Sequence, residues 1–351
     1  MELTYLDYLF LDLFSTEESR KINSLFHIIS GKRTISVLMQ AMRMDLEAYY
    51  AFFPKLQQSF FEERIKLMMQ LGLLNADYRL SAEGSQKKSR YFMKHVRPDL
   101  KEQLKYQAIS TLYKMRCLFL TQVLSERVHE SKKYYPIQPR LFEQRWLKNF
   151  LVNYDLTSIS KSQILGEEWL RILAEPEIQN PEIFVAQFEG YHKTKQTNKQ
   201  ISDEYNRDPV EVYVQLQREW IQLLIVVNKK PQEYPLLSTI LAELKRDAGL
   251  CSESTQETYR MWAEGVPLEQ VADRRRLKQS TINDHLTEMA ILYETFPYEE
   301  FLSEEQLAYI EAEILAGKPV DYNEIQQAFP DVSFFQSRLM QVKGEVHDDR
   351  K

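Results

Sequence analysis

Glycine is scarce in this 351-residue chain, at 9 residues, and no two stand in a GxG arrangement. That argues against Rossmann-type sheets and other folds built on glycine turns. Cysteine is scarcer still. Cys117 and Cys251 lie far apart in apolar or helix-end contexts with no signal peptide before them, so they read as reduced thiols of a soluble cytoplasmic protein. Long apolar runs are missing too: Ile221 to Val227 is far too short to span a bilayer, and no membrane contact is expected. The histidines at 27, 95, 129, 192, 285 and 347 are scattered, and no Cys/His set has metal-ligand spacing. Gly31-Lys32-Arg33-Thr34 lacks the earlier glycine of a phosphate loop, and Arg33 separates its lysine from its hydroxyl, so it reads as a helix stop followed by a cap. The carboxylate pairs Glu167-Glu168 and Glu304-Glu305 read as helix-start residues that complement the dipole. No catalytic residue, metal or cofactor is expected.

What the chain has is helix-forming material. Apolar residues make up 44%, and long Leu/Met/Glu/Lys/Gln-rich runs predict a mainly α protein of two or three domains. The net charge of −6 hides an uneven distribution. Residues 79–148 carry 16 Lys+Arg against 6 Asp+Glu, whereas residues 254–351 carry 10 against 19. Such asymmetry says more about partners than the total does.

Residues 1–84 predict helices with buried stripes at Ile22, Leu25, Phe26 and Ile29, at Ile35, Leu38, Met39 and Met42, and at Phe60, Phe61, Ile65, Met68 and Leu71. GLLNADYRLSAEG then suggests two short strands, Leu73–Leu74 and Tyr78–Leu80, before a helix capped at Ser81. Helices ending in a small hairpin predict an N-terminal winged-helix domain. Residues 85–135 form a basic helical region in which Lys87, Lys88, Arg90, Lys94 and Arg97 interleave with aromatics. They read as a phosphate-facing surface, as a solvated helix face, or as a face matched to an acidic partner or to the acidic C-terminal part. Pro136 and Pro139 mark a joint to a helical middle region, 136–250. Within it, Ile201, Val212 and Leu216 repeat the spacing of Val271, Ile282 and Leu286 at an offset of 70 residues, the pattern of a degenerate helix-turn-helix.

The stretch from Ser254 to Phe296 predicts three short helices. Ser254 caps the first, with Tyr259 and Trp262 facing inward and Gly265 ending it. Pro267 opens the second, buried through Leu268, Val271 and Ala272. Ser280 caps the third, whose stripe is Ile282, Leu286, Met289, Ala290 and Tyr293. The last two have helix-turn-helix spacing. Ser303 with Gln306, and Ser333 with Gln336, are capping boxes for two further helices, and a polar tail occupies 344–351.

The strings GVPLEQVADRRRLKQSTINDHL and FPDVSFFQSRLMQV resemble the helicase helix-turn-helix domain at the C-terminus of many RecQ-type helicases, here over 251–343. The whole chain resembles the YpbB family of stand-alone bacterial proteins that carry this domain, including looser strings such as SGKRTISVLMQA. Members are typically encoded beside a RecQ-type helicase that lacks it. The resemblance implies an accessory role with that helicase, in recombination or repair. No helicase ATPase motif is present, so the chain is not the motor.

In such a unit Gln279, Ser280, Thr281 and Asn283 are the candidates for base or phosphate contacts, with Arg274, Arg275, Arg276 and Lys278 on backbone phosphates. The turn departs from the usual pattern, with Arg276 where a glycine is typical and Arg275 where an apolar residue is. Asp284 and Glu288 are expected on the same exposed face, where they repel phosphate. His285 reads as a packed, hydrogen-bonded core residue. Three functions remain open: a non-enzymatic DNA-binding accessory factor, an adaptor whose helix-turn-helix units contact the helicase, and, least favoured, a transcription regulator.

Overall fold

The computed structural model describes residues 3–156 and 158–346. It is mainly helical, with eighteen α-helices, two 3₁₀ turns and no strand among the described residues. The N-terminal part comprises α1 (Tyr5–Asp12), α2 (Ile22–Ser30), α3 (Ile35–Arg43), α4 (Gln58–Gln70) and α5 (Ala82–Phe92). Thr4 and Asp7 form a capping box at α1, and Arg64 on α4 reaches back to Asp7 at 2.6 Å. Gly31 ends α2 in the left-handed region (φ 77°), where a Cβ would lie 2.5 Å from that of Ala51. The helix stop read at Gly31 is therefore required twice, by conformation and by packing.

The expected wing is not built. The two short strands reduce to one antiparallel bridge, Leu74 with Leu80. The cause lies beneath it. Leu73, Leu74 and Leu80 are all buried, and the Leu73 carbonyl accepts from Ser81 and lies against Gly84 of α5. With three leucines turned into the core and α5 starting at once, no edge is left to extend a ladder. Ser81 caps α5 as expected.

The middle part runs through α6 (Glu102–Val128), α7 (Leu141–Asn153), α8 (Ile159–Leu173), α9 (Pro181–Val185), α10 (Asn198–Tyr205), α11 (Pro209–Lys229) and α12 (Pro235–Asp247). α6 and α11 pack on each other and form the spine, with α8 and α12 against α6. The Ile221–Val227 run is buried within α11, which is covered on nearly every side. Glu167-Glu168 do not start a helix; they lie in the second half of α8. Buried Glu168 instead accepts from the Leu236 and Leu237 amides at 2.8 and 3.0 Å, capping the start of α12.

The C-terminal part holds α13 (Glu253–Ala263), α14 (Leu268–Arg275), α15 (Gln279–Leu292), α16 (Glu304–Leu315), α17 (Tyr322–Ala328) and α18 (Phe334–Val346). Both capping boxes form, Ser303 with Gln306 and Ser333 with Gln336. The polar tail lies, from residue 347 on, outside the described residues. α15 packs against α18, and both touch α3, so one continuous set of buried apolar residues runs from Tyr5 to Val342. A separate small cluster of Ile183, Ala186, Ile201, Val212 and Leu216 joins α9, α10 and α11.

The 70-residue offset is visible in the backbone. α10 and α14 are each eight residues, 198–205 and 268–275. Each ends on a left-handed residue, Asn206 (φ 48°) and Arg276 (φ 53°). The bond from Arg207 N to Ser202 O, 3.0 Å, has its counterpart from Leu277 N to Ala272 O, 2.9 Å. The following helices begin at 209 and 279. No helix among the described residues is long and apolar enough to cross a membrane.

Candidate nucleic-acid interface

The C-terminal unit is assembled around α15. Its apolar positions Ile282, Leu286, Met289 and Ala290 are buried, with Tyr293 partly so, against Val271 and Ala272 of α14 and the helices on either side. The caps differ from the expected ones. Ser252, two residues before Ser254, caps α13 by accepting from Thr255 N. α15 starts after Lys278 with no side-chain cap, so Ser280 lies inside the first turn. Tyr259 is exposed, although it stacks on Tyr293 with ring centroids 5.5 Å apart. The fully buried residues on α13 are Thr255 and Thr258.

Two threonines are buried because they serve a polar network inside the unit. Arg275 donates to the Ser254 carbonyl at 2.7 Å, to Ser254 Oγ at 3.0 Å and to Thr258 Oγ1. Thr258 Oγ1 in turn meets His285 Nδ1 at 2.8 Å. Burial, with Arg275 nearby, holds the His285 imidazole below its ordinary pKa. His285 is thus the packed, hydrogen-bonded residue expected. Arg275 is spent on α13 and fills a structural position in place of the apolar residue usual there.

Arg276 makes the turn in the left-handed region without being glycine, a conformation that costs about 1 kcal/mol. Arg274, Arg276, Lys278, Gln279 and Ser280 are exposed; Thr281 and Asn283 are half-buried. Among the described residues Arg274 hydrogen-bonds only the neutral Gln270, at 3.3 Å. Arg276 and Lys278 have no carboxylate partner among the described residues. Gln279 and Asn283 hydrogen-bond each other at 3.2 Å. From His285 to Leu292 every residue is buried, so α15 offers its first turn and a half and nothing more.

The two acids expected to repel phosphate are both accounted for. Glu288 is buried rather than exposed. Its carboxylate accepts from Arg33 Nε at 2.6 Å, from Ser252 N and Oγ at 2.9 Å each, and from Thr255 Oγ1. Burial pushes the Glu288 carboxyl up, but Arg33 and these donors outweigh it and hold its pKa below the usual range. Asp284 stays on the surface, 3.0 Å from Arg338 of α18. Neither Arg33 nor Arg338 stands out in sequence; Arg33 draws notice only as the residue that spoils a phosphate loop.

In the basic region, Lys87 pairs with Glu83 at 2.8 Å, and Lys88 and Arg97 approach Asp12 at 3.0 and 3.8 Å. Arg90 and Lys94 are exposed with no carboxylate partner among the described residues. The interleaved aromatics are used internally, Tyr91 being stacked between Tyr8 at 3.7 Å and His95 at 4.0 Å. Both cysteines are buried, which drives their thiol pKa values up.

A helix, a tight turn and a second helix with its open end outward define a helix-turn-helix unit, and residues 254–341 match a family described as a helix-turn-helix domain. Along nearly its whole length the chain is similar to Protein YpbB of Bacillus subtilis (strain 168). The identity is 26% over 356 residues, covering 98% of each chain. No solved structure matches.

Proposed function

We propose that this chain is a non-enzymatic DNA-binding accessory protein that works beside a RecQ-type helicase in recombination or repair. The observation that carries the DNA part is the open end of α15. Three exposed cations, Arg274, Arg276 and Lys278, surround Gln279 and Ser280 at a helix start whose amides no side chain caps. That is the end of a helix-turn-helix which meets phosphates and groove edges, and the positive pole of the helix favours anions there. The partnering of Asp284 and Glu288 removes much of the repulsion that the sequence suggested. The helicase part rests on the resemblance of 265–286 and 329–342 to the helicase-type domain.

Fluorescence anisotropy with duplex, forked and single-stranded DNA tests it. Affinity falls steeply as salt rises if phosphates are contacted, and Arg276→Glu with Lys278→Glu removes the duplex component. No binding to any of these at low salt overturns the reading. A second reading, an adaptor that contacts the helicase itself, is favoured by the burial of α15 beyond Asp284, which leaves little helix to lie in a groove. Co-purification with the helicase in the absence of DNA would select it.

A further inference from the structure

Residues 131–148 carry five cations, Lys132, Lys133, Arg140, Arg145 and Lys148, against one carboxylate, Glu143. Glu143 is buried and held by Arg116 at 3.1 Å, so it does not reach the surface. All five cations are exposed, and none has a carboxylate partner among the described residues. Two aromatic rings stand among them. Tyr135 is 93% exposed and Phe142 72%, unlike the packed ring of Tyr91.

The segment is held firmly from below. Gln122, 1% exposed on α6, donates to the Tyr135 carbonyl at 3.0 Å and accepts from the Ile137 amide at 2.9 Å. Both sides of Pro136 are thereby anchored, and Pro136 and Pro139 restrict the backbone further. The Tyr135 ring is left in solvent on a fixed mount. On α7, Leu147, Phe150 and Leu151 are buried, while Leu141, Arg145, Lys148 and Val152 form the exposed stripe at i, i+4, i+7 and i+11.

We propose that this surface, the 131–140 connection with the outer face of α7, binds single-stranded DNA. The five cations meet phosphates, and Tyr135 and Phe142 stack on bases. A surface with five exposed cations, and one exposed carboxylate, Glu130, at its edge, fits a polyanion. Free rings choose among polyanions: bases in a duplex are already paired and stacked, whereas an unpaired strand offers open π-faces. The inference rests on the nucleic-acid reading above but uses a surface separate in sequence from α14–α15.

The test uses the full chain and a labelled oligo(dT) of about thirty nucleotides, titrated from about 50 mM salt upward, beside a duplex. Reversal of Lys132, Lys133 and Arg145 to Glu is expected to weaken oligo(dT) binding about tenfold or more and duplex binding less than about threefold. Tyr135→Ala with Phe142→Ala is expected to weaken oligo(dT) about fivefold with the salt slope unchanged. Circular dichroism checks that these surface variants stay folded. The proposal falls if both variants bind oligo(dT) like the parent, or if the parent binds duplex but not oligo(dT), in which case the α15 reading stands. It falls as well if oligo(U) competes better than oligo(dT). Equal competition by polyglutamate, with no effect of the ring variant, replaces it with an acidic protein surface. Failure to bind any DNA removes both readings.

Discussion

Arg33 Nε lies 2.6 Å from Glu288 Oε1, and the same guanidinium donates to the Leu250 carbonyl at 2.6 Å. One side chain from the turn between α2 and α3 therefore holds the middle of α15 and the segment leading into α13. The two residues are 255 positions apart. Arg33→Ala leaves a buried carboxylate without its cation, a loss of about 3 kcal/mol. Urea denaturation reads it as a lower midpoint. Glu288→Gln, which keeps volume and an acceptor, costs less than half of that. An unchanged midpoint for Arg33→Ala would show that the contact is not maintained in solution.

His285 and Glu288 both titrate below their ordinary values in the folded chain, so both make it acid-sensitive. The His285 contribution is whole above the free imidazole pKa of 6.5 and is lost as pH falls through the lower folded value. That of Glu288 is whole above the free carboxyl value of 4.5 and fades below it. Stability should therefore begin to fall just under pH 6.5, and His285→Gln should flatten that first decline. An NMR titration placing the His285 pKa above 6.5 would contradict the network from Arg275 through Thr258.

Glu47, in the 3₁₀ turn Glu47–Tyr49, behaves in the opposite sense. Burial, with Asp45 and Glu345 adding to it, raises its carboxyl to about 7, and its Oε2 lacks a hydrogen-bond partner. Its contribution is whole below the free value of 4.5 and is lost as pH rises through about 7. Glu47→Gln should stabilise the protein by about 1–3 kcal/mol at pH 8 and have little effect near pH 5. Thermal melts at the two pH values measure the difference, and equal shifts at both would refute it.

Arg276 separates folding from binding. Glycine at this left-handed position removes the conformational cost, so Arg276→Gly should hold or raise the melting temperature, whereas Arg276→Val should lose about 1–2 kcal/mol. Both variants lack the charge, and both should bind duplex DNA a few-fold more weakly. Full duplex affinity in the glycine variant would take Arg276 out of the interface.

The apolar skeleton of α14 and α15 was legible because it is periodic: Val271, Ile282, Leu286, Met289 and Ala290 fall inward as their spacing requires. The polar interior was not. Glu288 looks like a surface acid on any local pattern, and only Arg33, on a different part of the chain, explains its burial. Ser254 and Ser280 are both good N-cap residues, yet the helices begin elsewhere: Ser252 is an equally good cap nearby, and α15 starts without any side-chain cap. The wing failed for a related reason, since two short apolar runs on either side of Asn75-Ala76-Asp77 say nothing of α5 lying against the Leu73 carbonyl. In the basic region, the charge count could not reveal that Asp12 lies between Lys88 and Arg97. Likewise, the buried Glu143 leaves its stretch purely cationic at the surface.

The burial of α15 beyond Asp284 also has a mechanical consequence. With its rear half gripped by α3, α13 and α18, the open end is a short post on a fixed base. On the DNA-binding reading proposed above, a nucleic acid would have to fit this end by its own bending or opening, which would favour strands that deform easily.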